Sequence, residues 1–300
     1  MQRRSFLRNT GLTIAAISLL NIDSLAAFLA EPPYKVKMLT KNIGIFTEKG
    51  GTILFFLTSE GTLVVDSQFP ETAPHLIAEV NKKTTNPFRL LINTHHHADH
   101  TSGNIVFKGI VPHILAHQNS RINQEAAAVK NKNEDKQLYP DQNYTNTWCE
   151  KMDKEEVCLQ YFGAGHTNGD SFVHFRKAKI VHTGDLVFNR RHPFVDRTAG
   201  ANISSWIKVL NTATETFPAK TTYVCGHAGS GHDVVIRKSD VLLFRDYLQN
   251  VLNFTDEQMK AGKSVDEIIK ATEIPGSPQW KGDGIDRPLR AAFEELTMGK

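Results

Sequence analysis

Residues 94–100, Thr-His-His-His-Ala-Asp-His, concentrate metal-binding chemistry in seven positions. His95 and His97 are two apart, so in an extended segment both imidazoles project from one side. Asp99 and His100 follow where the chain must turn, and address a second point a few ångströms away. Imidazole and carboxylate suit zinc and other borderline divalent cations. Upstream, residues 88–93 read as a short buried strand, and Thr101-Ser102-Gly103-Asn104 reads as a turn or helix start. A strand end therefore presents these side chains to a common space.

The elements around that stretch repeat its punctuation. Apolar strands run directly into a potential ligand at Asn93-Thr94-His95, Gly165-His166, Gly184-Asp185 and Gly226-His227. Strand ends meeting at one edge of a sheet are how an open α/β fold builds a site, and glycine lets the backbone turn sharply there. Before the histidines, residues 36–39, 43–47, 52–58 and 62–66 carry hairpin signals, with Gly-containing links between several of them. Further strands are expected at 111–116, 157–162, 171–175, 179–183 and 221–225. Helical spacing occupies 73–83, 201–217, 239–254, 265–271 and 288–297. Residues 120–156 are polar with few apolar anchors, which predicts a helix followed by a long loop, either a lid or a surface excursion.

With 300 residues, 40% hydrophobic and 22% charged, the chain has ample material for a core, and no boundary splits off a second domain. Residues 3–8, Arg-Arg-Ser-Phe-Leu-Arg, form a twin-arginine pattern, although Gln2 stands where that pattern usually has Ser or Thr. The apolar run at 11–20 is too short for a permanent membrane span, and a small-residue site follows at 24–27. Residues 1–26 are thus expected to be an export signal of a bacterial periplasmic or secreted protein without a stable membrane anchor. Subtracting its three Arg and one Asp from 35 basic and 32 acidic residues leaves a charge of +1. That balance argues against a nucleic-acid partner. Three cysteines make no disulfide scaffold: Cys149 and Cys158 either pair or stay free, and Cys225 reads as a packed side chain.

Together, His95-x-His97-x-Asp99-His100, Gly165-His166-Thr167, Thr183-Gly184-Asp185 and Cys225-Gly226-His227 resemble the metallo-β-lactamase-fold hydrolases over residues 35–300. The resemblance implies an α/β protein, a four-layer αββα sandwich filling residues 27–300, with two divalent metal ions at one edge. Zinc is expected, with iron or manganese as alternatives. His95, His97 and His166 would take one ion, and Asp99, His100 and His227 the other, with Asp185 bridging them. A water between two cations loses a proton near neutral pH and becomes the expected nucleophile. Asp99 is expected to orient it or accept a proton. The implied activity is hydrolysis of an ester, thioester, lactone or β-lactam in a small molecule. A phosphodiesterase and an iron-dependent sulfur dioxygenase of the same fold are the alternatives. One branch of true metallo-β-lactamases has Cys where this chain has Asp185, which looks more like hydroxyacylglutathione hydrolases, lactonases and phosphodiesterases. Residues 184–188 and 193–196 are similar to metallohydrolases described with periplasmic quinoprotein or sulfur-oxidation systems.

Other residues carry weaker signals. His96 falls on the opposite side of the strand end and is expected either to support a ligating side chain or to be structural. His117, His174 and His182 lie in or beside strands and are expected to be packed or hydrogen-bonded, whereas His192 and His232 sit in polar loops within reach of a site. Asp66 ends a strand, where it either orients a ligating imidazole or caps a turn. No Gly-x-Ser-x-Gly elbow is present, so no serine nucleophile is invoked.

Overall fold

Alternation of side chains along the first strands decides the architecture. Ile43, Ile45, Leu54, Phe56, Leu63 and Val65 join one buried cluster. Phe46, Ile53, Phe55, Val64 and Leu91 alternate with them and are buried too. A sheet apolar on both faces must be covered on both.

The computed structural model describes residues 33–298. Seven strands lie side by side in chain order: β1 (Lys35–Met38), β2 (Ile43–Thr47), β3 (Ile53–Thr58), β4 (Gly61–Val65), β5 (Phe88–Asn93), β6 (His113–His117) and β7 (Gln142–Tyr144). Strands β2 to β4 are antiparallel hairpins, while β4 to β7 run parallel. Parallel neighbours need crossovers. Helix α1 (Ala73–Asn81) connects β4 to β5, α2 (Ala98–Thr101) with a 3-10 turn connects β5 to β6, and α3 (Gln118–Asn131) precedes β7. The parallel run brings the ends of β4, β5 and β6 to the same edge.

The second sheet contains β8 (Thr147–Met152), β9 (Glu155–Gln160), β10 (Phe172–Phe175), β11 (Ile180–His182), β13 (Thr222–Val224) and β15 (Val235–Arg237), in the order β15-β13-β11-β10-β9-β8. Between them, β12 (Phe188–Asn189) and β14 (His227–Ala228) form a separate parallel pair. Because β11 and β13 are parallel neighbours, Gly184-Asp185 and Gly226-His227 emerge at one edge. The two sheets share a core in which Leu63, Val65, Leu90 and Ile92 meet Val157, Leu159, Val173 and Val224. On the far side of the second sheet, Phe172, Val181 and Tyr223 join Trp206, Leu210, Phe244, Leu248 and Leu289 in a second cluster. These last residues come from α4 (Ile203–Thr216), α5 (Lys238–Lys260) and α7 (Asp286–Met298), with α6 (Val265–Ile268) beside them. In α4, Ile203, Trp206, Leu210 and Ala213 recur at helical spacing, and Asn202 caps its start by accepting from Ser205 N. The result is the expected αββα sandwich.

Two expectations need correction, and one open alternative is decided. The long loop within 120–156 instead contains β7 and β8, the two edge strands where the chain passes from one sheet to the other. In β8 only Met152 is buried, so its polar sequence hid a strand satisfied by pairing along one side. Cys149 and Cys158 oppose each other across β8 and β9 and form a disulfide. Helix α5 continues past the expected residue 254 to Lys260 through a polar stretch that is only partly buried. The short β12, β14 and β15 were not anticipated at all. The expected signal at 1–26 lies outside the described residues. Among the described residues no helix is long and apolar enough to cross a membrane.

Candidate metal centre

The site begins with Asp66, directly after β4. Its backbone is left-handed (φ 65°), a conformation that Asp tolerates better than most residues. It is fully buried, and its carboxylate accepts from Thr94 N, Thr94 Oγ1 and His100 Nδ1, each at 2.8 Å. These bonds pin the chain leaving β5 against the end of β4. His97 remains extended, and α2 starts at Ala98. That turn divides the stretch: His95 and His97 face one point, and Asp99 and His100 another.

Hydrogen-bond accounting fixes the imidazole tautomers. Thr94 Oγ1 donates to Asp66 and so accepts from His95 Nδ1 at 3.1 Å. His97 Nε2 donates to Asp196 Oδ2 at 3.0 Å, and His166 Nδ1 donates to the Phe194 carbonyl at 2.8 Å. With those protons placed, the lone pairs of His95 Nε2, His97 Nδ1 and His166 Nε2 point at one another. His97 Nδ1 lies 3.1 Å from His95 Nε2 and 2.8 Å from His166 Nε2. Three converging lone pairs repel unless a cation lies among them, so this donor set fits a metal ion.

A second group lies alongside. His227 Nε2 is 3.0 Å from Asp99 Oδ2, and His100 Nε2 is 3.8 Å from the same oxygen. Asp185, on the 3-10 turn after β11, faces both groups. Its Oδ1 is 3.1 Å from His100 Nε2, and its Oδ2 lies 3.4 Å from His227 Nε2, 3.5 Å from His166 Nε2 and 4.0 Å from His95 Nε2. His100 Nε2 and Asp185 Oδ1 are buried without a hydrogen-bond partner, the mark of atoms kept for another ligand. The groups His95/His97/His166/Asp185 and Asp99/His100/His227 each have donor atoms close enough to share an ion.

Close backbone approach makes this density possible. A Cβ at Gly226 would overlap Asp185 Oδ1, and one at Gly51 would overlap the His100 ring. Gly51 N donates to Asp99 O at 3.0 Å, and Thr52 N and Oγ1 both donate to Gly226 O at 3.0 Å. The link between β2 and β3 therefore ties both sides of the site together. His182 completes the support: its Nε2 donates to Thr52 O at 2.8 Å and its Nδ1 accepts from Gly184 N at 3.1 Å.

Charges follow the same division. Burial and the neighbouring His100 hold His95 well below the usual imidazole range; burial and His97 hold His166 down to about 3. In the other group burial also opposes charge, but the partners win. Asp185 and Asp99 lift His227 to about 9, Asp185 and Asp66 lift His100 well above its ordinary value, and His100 and His227 hold Asp99 down to about 2.

All seven expected metal-binding side chains are brought together. Asp66 accepts from His100 and Thr94, so it orients an imidazole. His96 Nε2 lies 3.6 Å from Asp196 Oδ2. His117 caps α3 by accepting from Asn119 N, and its Nε2 donates to Thr145 O. Cys225 is buried, its thiol pushed up to about 12 by burial. His192 lines the cavity over the cluster, whereas His232 does not. That cavity, about 300 Å³, also reveals what the motifs missed: Arg191, Phe194 and Arg287 line it. Asp196, which holds both His96 and His97, stood in a quoted motif without a role, since nothing in its spacing links it to His97.

Residues 47–227 match the family described as the metallo-beta-lactamase superfamily. Metallo-beta-lactamase IND-1 of Chryseobacterium indologenes is 25% identical over 68% of this chain and 85% of its own length. A type 2 metallo-beta-lactamase of Elizabethkingia meningoseptica is 24% identical over 71% and 86%. Among solved structures, a metallo-beta-lactamase from Pontibacter korlensis superposes with a TM-score of 0.61 at 20% identity, covering 72% of this chain and 99% of that one. The inverting sec-alkylsulfatase Pisa1 from Pseudomonas sp. gives 0.69 at 13% identity, covering 86% of this chain and 49% of that one. Likeness at these identities speaks for the fold.

Asp66→Asn tests the support directly. An amide NH2 cannot accept, so in one orientation of the amide Thr94 N loses its partner, and in the other both Thr94 Oγ1 and His100 Nδ1 lose theirs. Divalent-metal affinity should fall by about 10- to 100-fold in a chelator competition; an unchanged affinity would show that Asp66 does not orient the site.

Proposed function

Because its match spans more than half of the chain, this protein belongs to the metallo-β-lactamase superfamily, and from that premise we propose that it is an exported binuclear metallohydrolase. It cleaves an ester, thioester, lactone or β-lactam in a small molecule. The observation that carries the reading is Asp185, whose two oxygens face the two histidine groups from between them. His95, His97 and His166 would hold one cation and Asp99, His100 and His227 the other, with Asp185 within reach of both groups. Two divalent cations held there, zinc by the preference of this imidazole-rich set, would supply acidification of a water and polarisation of a carbonyl.

The protein's own groups do the rest. Asp66, Asp196 and the Phe194 carbonyl keep the imidazole protons on the outer nitrogens, so the inner nitrogens stay free to ligate. Asp99 lies at the cavity with its side chain 31% exposed. From there its carboxylate orients the attacking water and accepts its proton. Phe188 and Phe194 give the cavity an apolar border. The two relatives matched by sequence are named as β-lactamases, while Asp185 resembles the broader hydrolases, so the scissile bond is framed by class. Export is supported by the twin-arginine pattern and by the Cys149–Cys158 disulfide, which suits an oxidising compartment.

Elemental analysis of purified protein should find about two equivalents of transition metal. His95→Ala or Asp185→Asn should lower kcat by about 100-fold or more on a panel of lactam, lactone, thioester, phosphodiester and alkyl sulfate. Protein without bound metal, or full turnover by both variants, would refute the hydrolase reading.

Metal loading should depend on pH at one group and not the other. His227 titrates near 9 among protein groups alone, so its ion pairs stabilise the metal-free fold fully below the unfolded value of 6.5 and are lost as pH rises through about 9. A cation entering beside it at neutral pH must displace that proton, so affinity there rises with pH up to about 9. His95 and His166 are already neutral, so neither has a proton to displace over this range. Calorimetry at pH 7 in buffers of different ionisation heat should detect proton release with one equivalent and little with the other. Equal release from both contradicts the assignment.

The export reading expects protein recovered from the native cell envelope to begin near residue 27; protein that retains residues 1–26 there speaks against cleavage.

A further inference from the structure

We propose that the cavity wall facing the metal-binding side chains recognises an anionic group on the substrate through Arg191, His192 and Arg287. This rests on the hydrolase reading above and narrows its substrate: a small molecule whose labile bond is accompanied by a carboxylate, sulfonate or phosphate.

Two guanidinium groups reach one cavity from distant parts of the chain. Arg191 follows β12, and Arg287 lies in the first turn of α7; both line the same space as His97, Asp99, Asp185 and His227. Their neighbours are paired with protein groups. Arg190 bonds to Asp240 at 2.6 Å, Arg197 lies 3.7 Å from Glu295, and Arg290 lies 3.8 Å from Asp266. Among the described residues, the side chains of Arg191 and Arg287 make no hydrogen bond or ion pair, and both residues are exposed. The fold thus pairs the adjacent arginines internally and leaves these two donor forks at the cavity. A guanidinium fork matches the oxygens of a carboxylate or phosphate in a bidentate way that a lone ammonium does not.

His192 adds a fixed neutral donor between them in the chain's layout. It is buried, with Nδ1 2.7 Å from the Tyr247 hydroxyl. Tyr247 is itself buried, its ring stacked on Trp280 with centroids 4.6 Å apart. A buried phenol must donate, and His192 is its partner, so the Tyr247 proton points at Nδ1 and the imidazole carries its own proton on Nε2. Burial favours the neutral ring, while nearby Asp286 works in the other direction. Nε2–H is therefore available as a hydrogen-bond donor without a fixed charge. Asp99 and Asp185 are the carboxylates of the cavity, and both face imidazoles. Asp286 beside His192 offsets part of the charge, but two guanidinium groups against one carboxylate leave the arginine side positive, which attracts an anion and orients it relative to the opposite wall.

The test uses metal-loaded protein and matched acetate esters. The probes are 4-acetoxybenzoate, 4-acetoxybenzenesulfonate and 4-acetoxyphenyl phosphate, with uncharged methyl 4-acetoxybenzoate as the reference. Wild type should show a lower KM for at least one charged probe than for the reference, and their order identifies the anion. Arg191→Ala and Arg287→Ala should each raise that KM by about ten-fold, and the double variant by more, with a much smaller change for the methyl ester. Metal content and thermal midpoint check that the variants are folded. A wild type that prefers the methyl ester, or variants that lose equally on both probes, overturns the proposal. A second readout is independent of turnover: calorimetric binding of 4-hydroxybenzoate, 4-hydroxybenzenesulfonate and phenyl phosphate to loaded wild type and double variant. Arginine-dependent binding with no hydrolysis of any probe would refute the hydrolase reading and leave anion recognition standing. Binding that is unaffected by the double substitution would refute anion recognition whatever the turnover.

Discussion

The buried carboxylate of Asp66 is the constraint on which the site depends. It sits at the end of β4 in a left-handed backbone conformation and gathers three donors from the segment leaving β5. Through Thr94 it fixes the His95 tautomer, and through His100 Nδ1 it fixes the other group. Left unpaired, such a carboxylate would be costly at this depth. Fully paired, it converts a flexible His-rich stretch into two sets of donors facing separate points. Its role is thus to decide which nitrogen of His95 and of His100 is free to bind.

The rest of the edge is built to the same tolerance. The second sheet supplies Asp185 and His227 from parallel strand ends, and Gly226 lets the backbone lie against the Asp185 carboxylate. The link between β2 and β3 spans the seam, bonding Asp99 on one side and Gly226 on the other. Two cores, one between the sheets and one under the helices, hold these ends rigid. Functional side chains set on strand ends over packed cores lose little orientation entropy when a ligand arrives. His192 shows the same logic in the opposite wall, where Tyr247 and Trp280 lock the ring from behind.

Much of this was legible in the chain. Strands β3, β5 and β10 and helices α1, α4 and α7 follow from apolar periodicity within one or two residues, because burial on a defined face imposes that period. Strand β8 escaped because an edge strand needs few apolar side chains: its ladder to β9 and the Cys149–Cys158 bridge supply what burial does elsewhere. The tail of α5 escaped for a related reason. Its polar end continues a helix already nucleated by Val241, Phe244, Leu248 and Val251.

The sequence by itself determined the donor set and its connection to strand ends, since His95, His97, Asp99, His100, His166, Asp185 and His227 are marked by residue type and by the glycines beside them. Ligand chemistry is local, and a motif records it. Partnership across the fold is not local. That His97 leans on Asp196, that His166 leans on a carbonyl at Phe194, and that Arg191 and Arg287 share one cavity all depend on how sheet, loop and C-terminal helix come together. No spacing along the chain encodes those distances, so only tertiary structure decided them.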